Sequence, residues 1–364
     1  MQSWFQFIPL RTPPSYRRSK IAAAKKREWC FAALKQQTPL SLLRRDDMAK
    51  YILKRILTAI PMILLISVLC FALMHFAPYD AIDAMTSPKM SQETIDLIKA
   101  KYGYDQPVYV QYIRWLDGIM NGNFGYSIVT KQSIAADLAV RIPNTVKLVL
   151  PAFITAYILA VVLGLMAGAN KNKMADKIID AVSSVGIAVP SFWFAMLLIF
   201  VLGYKLKLLP IVGMHAVGKE SSIADFLKHF FMPYLTLTIA FMPPNIKYVR
   251  SSTLTQFSED YVMVQRAFGA TKSEIMFKHV CKNVLLPVIT RFGIAFRLLI
   301  TGSIITETVF SWPGVGPYFI KAIQGMDYPI VMIILVLSST LVILGNLFSD
   351  ILYCLIDPRI KEMG

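Results

Sequence analysis

The chain reads as an all-α integral membrane protein with six transmembrane helices, and three observations predict it. Of 364 residues, 55% are hydrophobic and only 16% are charged, against about 25% charged in an ordinary soluble domain. Six apolar runs each reach the roughly 20 residues that a membrane-crossing helix needs. The short polar connections between them are basic on one side, as orientation by Lys and Arg requires. Formal net charge is +16, but no folded face gathers those charges, so a nucleic-acid partner is not expected. Cys30, Cys70, Cys281 and Cys354 are widely scattered, as are the four histidines. No disulfide or metal spacing results, and no metal site is expected.

Residues 1–47 differ from the rest. Pro9, Pro13, Pro14 and Pro39 break them, and ten Lys/Arg stand against three Asp/Glu. Three readings are open: a disordered cytoplasmic arm, an organelle transit peptide, or upstream sequence ahead of a true start at Met48. The third is preferred. Arg44-Arg45-Asp46-Asp47 directly precedes Met48, and two AGG codons there would form a ribosome-binding site.

Residues 48–76 make the first transmembrane helix, with its apolar body over Ile56–Phe76 and with Lys54 and Arg55 holding its start in the cytoplasm. Residues 77–145 form an extracytoplasmic domain, with short helices over Ser91–Lys101 and Val108–Met120 and a turn with an extended piece at NFGYSIVT. Residues 146–356 are the membrane core. A second span covers Val146–Ala169, followed by a short basic loop from Asn170 to Lys173. The third, Ile178–Tyr204, contains Pro190, which frees a carbonyl and kinks the helix. After an outer loop at 205–228, a fourth span covers His229–Tyr248, with Pro243-Pro244 weakening its cytoplasmic half. The fifth, Val288–Phe310, carries Arg291, Arg297 and Glu307; the sixth runs Pro329–Ile356 before a tail at 357–364. Six spans put both termini in the cytoplasm.

The polar loop 250–287 stands out between these runs. SEDYVMVQRAFGATKSEIMFKHVCKNVLLP begins at Ser258, a candidate N-cap followed by acidic Glu259 and Asp260. Gly269 closes that helix in a left-handed conformation. Thr271 and Glu274 have capping-box spacing, so a second helix starts two residues later. Tyr261, Val264, Gln265 and Phe268 fall on one face, with Arg266 off it. An exposed apolar face on so short a helix needs a partner, either the membrane surface or a soluble protein.

YVMVQRAFGA, continuing to NVLLP, resembles the cytoplasmic loop by which bacterial ABC-importer permeases contact their ATPases, especially in the dipeptide and oligopeptide branch. Ala267, Gly269, Asn283 and Pro287 match that pattern; Gln265 stands where the branch usually has a small residue. GNFGYS, RIPNTVKL, GIAVPSFWFAMLL, ETVFSWPGVG and NLFSDILYCLIDPRIK resemble further segments of the same family, and Met48 resembles its usual start. APYDAIDA replaces the usual Pro-Gly-Asp-Pro after the first span. The resemblance covers essentially Met48–Lys361 and implies the type I ABC-importer permease fold in the bacterial cytoplasmic membrane. It implies a non-catalytic subunit importing dipeptides or oligopeptides by alternating access, without a cofactor of its own. Partners would be a second homologous permease, an extracytoplasmic solute-binding protein, and two cytoplasmic ATPase subunits holding ATP and Mg. ATPase-coupling residues would be Tyr261, Val264, Gln265, Arg266, Ala267, Phe268, Gly269, Ala270 and Thr271. Nickel chelates, glutathione or another small solute remain alternative cargo on the same architecture.

Charge inside a membrane is costly, so Arg297 needs a partner or water. Pairing with Asp350, at comparable depth, is one reading; a place on the substrate path, facing a peptide carboxylate, is the other. Glu307, near the outer mouth, is either a contact for a peptide amine or structural. No phosphate-cradling G-x-x-x-x-G-K-[ST] motif occurs, and no facing pair of aspartates or Ser/His pair suggests intramembrane proteolysis. A stand-alone secondary transporter is the different-class alternative, though internal inverted repeats are not evident.

Overall fold

The computed structural model describes residues 45–76, 90–102, 105–285, 288 and 304–356. Two units are distinguished, Met1–Tyr51 and Ile52–Gly364, and apart from the opening residues of the helix that begins at Arg45, the architecture below concerns the second. The extension 1–47 falls almost wholly outside the described residues, as do Pro287, Arg291, Arg297 and the side chain of Asp350. Among the described residues all named elements are helices, with one isolated antiparallel bridge between Tyr126 and Ser133 in the NFGYSIVT region.

Helix α1, Arg45–His75, contains an apolar stretch, Leu53–Leu73, long enough to cross a membrane. Ala59, Ser67, Cys70 and Phe71 turn inward while Leu57, Leu65 and Leu69 stay exposed. An apolar helix with an apolar exposed side is what hydrocarbon surroundings require. Two short helices follow, α2 over Gln92–Tyr102 and α3 over Val108–Met120.

Helix α4 runs Ile134–Ala169 and helix α7 runs Ile223–Ser258, each 36 residues. At 1.5 Å per residue each is about 54 Å long, well beyond the ~30 Å hydrocarbon layer. Both therefore extend past the spans expected from hydropathy: α4 begins twelve residues before Val146, and α7 continues ten beyond Tyr248. They pack along one another most closely where α4 offers Gly164 and Gly168. A Cβ on either would come within 2.6 Å of Val249 Cβ or 2.5 Å of Thr253 Cβ. Small residues four apart let two helix backbones approach in this way. Tyr234 Oη donates to Thr155 Oγ1 at 2.9 Å, farther along the same seam.

The third span is broken more sharply than a proline kink. Helix α5, Met174–Ala188, ends at Val189, and Pro190 starts α6, Ser191–Leu198, which continues as a π-helical stretch Ile199–Lys205. The two halves meet at 94°. Proline cannot donate to the preceding turn and excludes the helical conformation from Val189, whose ψ is 119°.

The rest is α8 (Asp260–Ala267), α9 (Lys272–Ile275), α10 (Ile304–Val309), α11 (Val315–Gln324) and α12 (Tyr328–Ile356). By length and composition α1, α4 and α12 can each cross a membrane, as can the bent α5–α6 pair if it is one span. Helix α7 covers the expected fourth span, but His229, three prolines and several threonines lower its hydropathy. The fifth lies largely outside the described residues. One buried cluster joins Ile134 and Leu138 of α4 to Val315, Tyr318 and Ile333. Asp327 caps that end: Ser127 Oγ donates to its Oδ2 at 2.5 Å and the Ile128 N–H to its Oδ1 at 3.2 Å.

Candidate functional site

At the end of α7 the chain builds a knob of two short helices. Ser258 does not cap α8, as the acidic residues after it had suggested. It is the last residue of α7, and its Oγ donates to the Leu254 carbonyl at 3.0 Å. A serine that bonds back one turn is occupied within its own helix. The break falls at Glu259, with φ −71° and ψ 148°, and Asp260 occupies the first turn of α8.

The far end of α8 is closed by a Schellman turn. The Gly269 N–H donates to Arg266 O at 3.0 Å and the Ala270 N–H to Gln265 O at 3.1 Å, the paired 5→2 and 6→1 bonds of that motif. Gly269 has φ +83°, in the region glycine adopts without penalty. Thr271 then caps α9: its Oγ1 accepts from the Glu274 N–H at 3.2 Å. Lys278 Nζ lies 2.5 Å from Glu274 Oε1, an exposed pair one turn apart. That hydrogen bond holds the Glu274 carboxyl below its ordinary range, but so exposed a pair contributes little stability. After Ile275 the helix widens into a π turn, Met276–Val280.

One side of the knob is cemented to the body. Val262, Ile275, Met276, Val280 and Val284 are buried with Leu165 of α4 and Val249 of α7; burying one such side chain contributes about 1.5–3 kcal/mol. Gln256, which sequence reasoning passed over, ties three elements together. Its Oε1 accepts from Tyr261 Oη at 2.9 Å and from Asn283 Nδ2 at 3.1 Å. Burial pushes the Tyr261 phenol above its ordinary value, so it remains a donor. Lys272 Nζ donates to the Ala169 carbonyl at the end of α4. Alongside, Arg250 grips Asp176 through Nε (2.5 Å) and Nη2 (3.0 Å), and the Asn172 N–H donates to the same carboxylate at 2.8 Å. The bidentate geometry fixes orientation as well as contact.

The other side is bare. Met263 is 66% exposed, Phe268 85% and Phe277 73%, with Val264, Arg266 and Ala267 also exposed. Of the face expected from the helical wheel, Val264 and Phe268 point outward, whereas Tyr261 and Gln265 are half-buried against the body. Gly269 and Thr271 are exposed at the turn and Ala270 is half-buried. The outward surface is thus Met263, Val264, Ala267 and Phe268, with Phe277 beside it, and its chemistry is that of an apolar protein contact rimmed by Arg266 and Lys278. Among the described residues no group of three His, Cys, Asp or Glu is placed to hold a metal ion.

Glu307 lies elsewhere and is fully buried. The Gly316 N–H donates to its Oε2 at 2.8 Å and Thr145 Oγ1 to the same atom at 3.3 Å; the Val315 N–H donates to Thr145 Oγ1 at 2.8 Å. A Cβ on Gly314 would stand 2.3 Å from Glu307 Oε2 and 2.4 Å from Thr145 Oγ1. The glycines of the Trp-Pro-Gly turn therefore make room for the carboxylate. Trp312 Nε1 donates to the Asn144 carbonyl at 2.8 Å, and Asn144 Nδ2 to the Pro313 carbonyl at 3.1 Å. The structure brings Glu307 together with Thr145 of α4; Arg297 lies outside the described residues.

The structure is thus a helical body with spans long and apolar enough to cross a membrane, carrying an apolar-faced knob packed against α4 and α7. The chain belongs to the family of binding-protein-dependent transport system inner membrane components, whose description matches residues 160–362, with the family's N-terminal region matching residues 48–149. It is 39% identical over 315 residues to the oligopeptide transport system permease protein AppB of Bacillus subtilis (strain 168), covering 86% of this chain and all of that one. It is 33% identical over 314 residues to the glutathione transport system permease protein GsiC of Escherichia coli (strain K12), covering 86% and 99% respectively.

Proposed function

We propose that this chain is a non-catalytic permease subunit of an ATP-driven importer that moves dipeptides or oligopeptides across the bacterial cytoplasmic membrane. The observation that carries the reading is the knob: Met263, Val264, Ala267 and Phe268 face outward while Val262, Ile275, Gln256 and Lys272 lock the same element to α4 and α7. An exposed apolar surface so firmly anchored suits the transmission of a push from a docked ATPase. In this reading the chain pairs with a second homologous permease, two ATPase subunits that hold ATP and Mg, and a solute-binding protein on the opposite face. Six spans with both termini in the cytoplasm put the knob, loop 250–287, inside and residues 77–145 outside, with the permease core over 146–356. Peptide cargo is supported by the oligopeptide permease relative, while the glutathione permease relative supports a small peptide-like solute as the second reading.

The burial of Glu307 favours a structural closure over a place on the substrate path. Arg297 retains either role, pairing or pathway. The test is uptake of labelled di- and tetrapeptides by vesicles holding the complete complex, with binding protein outside and ATP inside. Uptake that requires both ATP and the binding protein is expected. Uptake driven by an ion gradient through this chain alone would replace the reading with a secondary transporter; uptake of glutathione or a nickel chelate but not peptides would keep the machine and change the cargo.

A further inference from the structure

Helix α3 presents three strips of different chemistry. Tyr112, Trp115 and Ile119 face the protein. Tyr112 Oη shares a 2.8 Å hydrogen bond with Ser67 Oγ, Phe71 of α1 contacts the Tyr112 and Trp115 rings at 5.4 and 5.6 Å, and Trp115 and Ile119 pack on the Ile134–Leu138 cluster. A second strip, Tyr109, Ile113 and Met120, is 67%, 60% and 81% exposed. Arg114 and Asp117, also exposed, fall on a third strip. Both α1 contacts lie inside the membrane-crossing stretch Leu53–Leu73, Phe71 two residues and Ser67 six residues from its end. At 1.5 Å per residue those contacts lie about 3 and 9 Å along the helix from the end of its apolar stretch, comparable with the roughly 5–10 Å to which interfacial helices sink.

We infer that α3 lies in the interfacial layer of the bilayer at the C-terminal end of α1, with Tyr109, Ile113 and Met120 seated among lipid acyl chains. Leu69 and Leu73, on the same turns of α1 but its opposite side, are 54% and 69% exposed, so α1 keeps an apolar surface outward at the level where α3 docks. Arg114 and Asp117 stand beside the exposed strip of α3, and a helix lying at headgroup level leaves both in water. Tyr109, on the exposed strip, is a residue type that favours such a boundary.

The test places p-benzoylphenylalanine at Ile113, Met120 or Asp117 in the assembled complex, reconstituted in nanodiscs of a single phospholipid, and reads photoproducts by intact mass. Adducts heavier by one phospholipid are expected at Ile113 and Met120 and not at Asp117. Adducts from Ile113 and Met120 to another subunit, equal lipid capture at all three positions, or no lipid capture at any would overturn the inference. Should the Ile113 variant not assemble, the same probe in place of Tyr109, aromatic for aromatic, gives the same readout.

Discussion

Gly269→Val forces a β-branched residue onto a backbone with φ +83°. Among the described residues, nothing beyond the two chain neighbours lies within 4 Å of the new Cβ, so the Cβ itself meets no crowding and the penalty is chiefly conformational. That penalty is about 1–3 kcal/mol, a shift of roughly 5- to 150-fold toward forms in which the turn is rearranged. Rearrangement breaks the bonds from the Gly269 and Ala270 N–H groups to Arg266 and Gln265 and re-aims α8, carrying Met263, Val264 and Phe268 with it. The permease should reach the membrane at normal level and still meet its binding protein. ATPase subunits should co-purify poorly, and binding-protein-stimulated ATP hydrolysis should fall sharply. Gly269→Asn separates backbone from bulk, because asparagine is of similar size but tolerates the left-handed region; it should retain much of the stimulated hydrolysis. Wild-type co-purification and hydrolysis in a verified Gly269→Val permease would refute the docking assignment. An Asn variant as defective as Val would refute the conformational reasoning and point to crowding against the partner. Altered lipid attachment with unchanged ATPase recovery would favour a helix lying on the membrane surface.

Gln256→Leu removes the acceptor shared by Tyr261 and Asn283 and should cost about 1–3 kcal/mol, read as a lower melting temperature of the purified protein; Tyr261→Phe, losing one of the two bonds, should cost less. Gly314→Ala drives a methyl into the Glu307 carboxylate and Thr145 and should destabilise by about 1–3 kcal/mol, again by thermal melting; an unchanged melting temperature would mean the turn is looser than described. Thr271→Ala should lose the α9 cap at about 0.5–2 kcal/mol, seen as faster amide exchange over 272–275. Arg297→Leu should lower membrane levels if Arg297 pairs with Asp350, because breaking one side of a buried pair costs about 3–5 kcal/mol, and Arg297→Leu with Asp350→Leu should recover part of it. Normal assembly with selective loss of uptake in the single variant would favour the pathway role.

The parts of the knob legible in the sequence are those set by neighbouring residues. Gly269 at a helix end and the Thr271–Glu274 spacing are local signals, and both the left-handed turn and the threonine cap are present. The orientation of α8 was not legible, because a helical wheel says which residues share a face but not which face meets the body. Val262 is buried only because Leu165 and Val249, distant in sequence, converge on it. Ser258 misled for a similar reason: serine suits both a cap and the last turn of a helix, and α7 runs farther than its apolar stretch. The full lengths of α4 and α7 escaped a hydropathy reading, which sees only the part bathed in hydrocarbon. The enclosure of Glu307 by glycines and by Thr145, 162 residues away, was equally beyond local reasoning.

The glycine seam between α4 and α7 has a mechanical consequence. With Val249 and Thr253 seated over Gly164 and Gly168, neither helix can slide along the other without driving methyl groups into backbone. Both are also free of proline beside the knob, over 152–169 and 245–258, whereas Pro143, Pro151, Pro233, Pro243 and Pro244 all lie farther from it. The pair is thus a stiff strut at one end that softens toward the other, since each proline removes a hydrogen bond and localises bending. A displacement applied at the knob would be carried along the proline-free lengths and would bend each helix at the first proline it meets, Pro151 in α4 and Pro244 in α7, rather than at the knob itself.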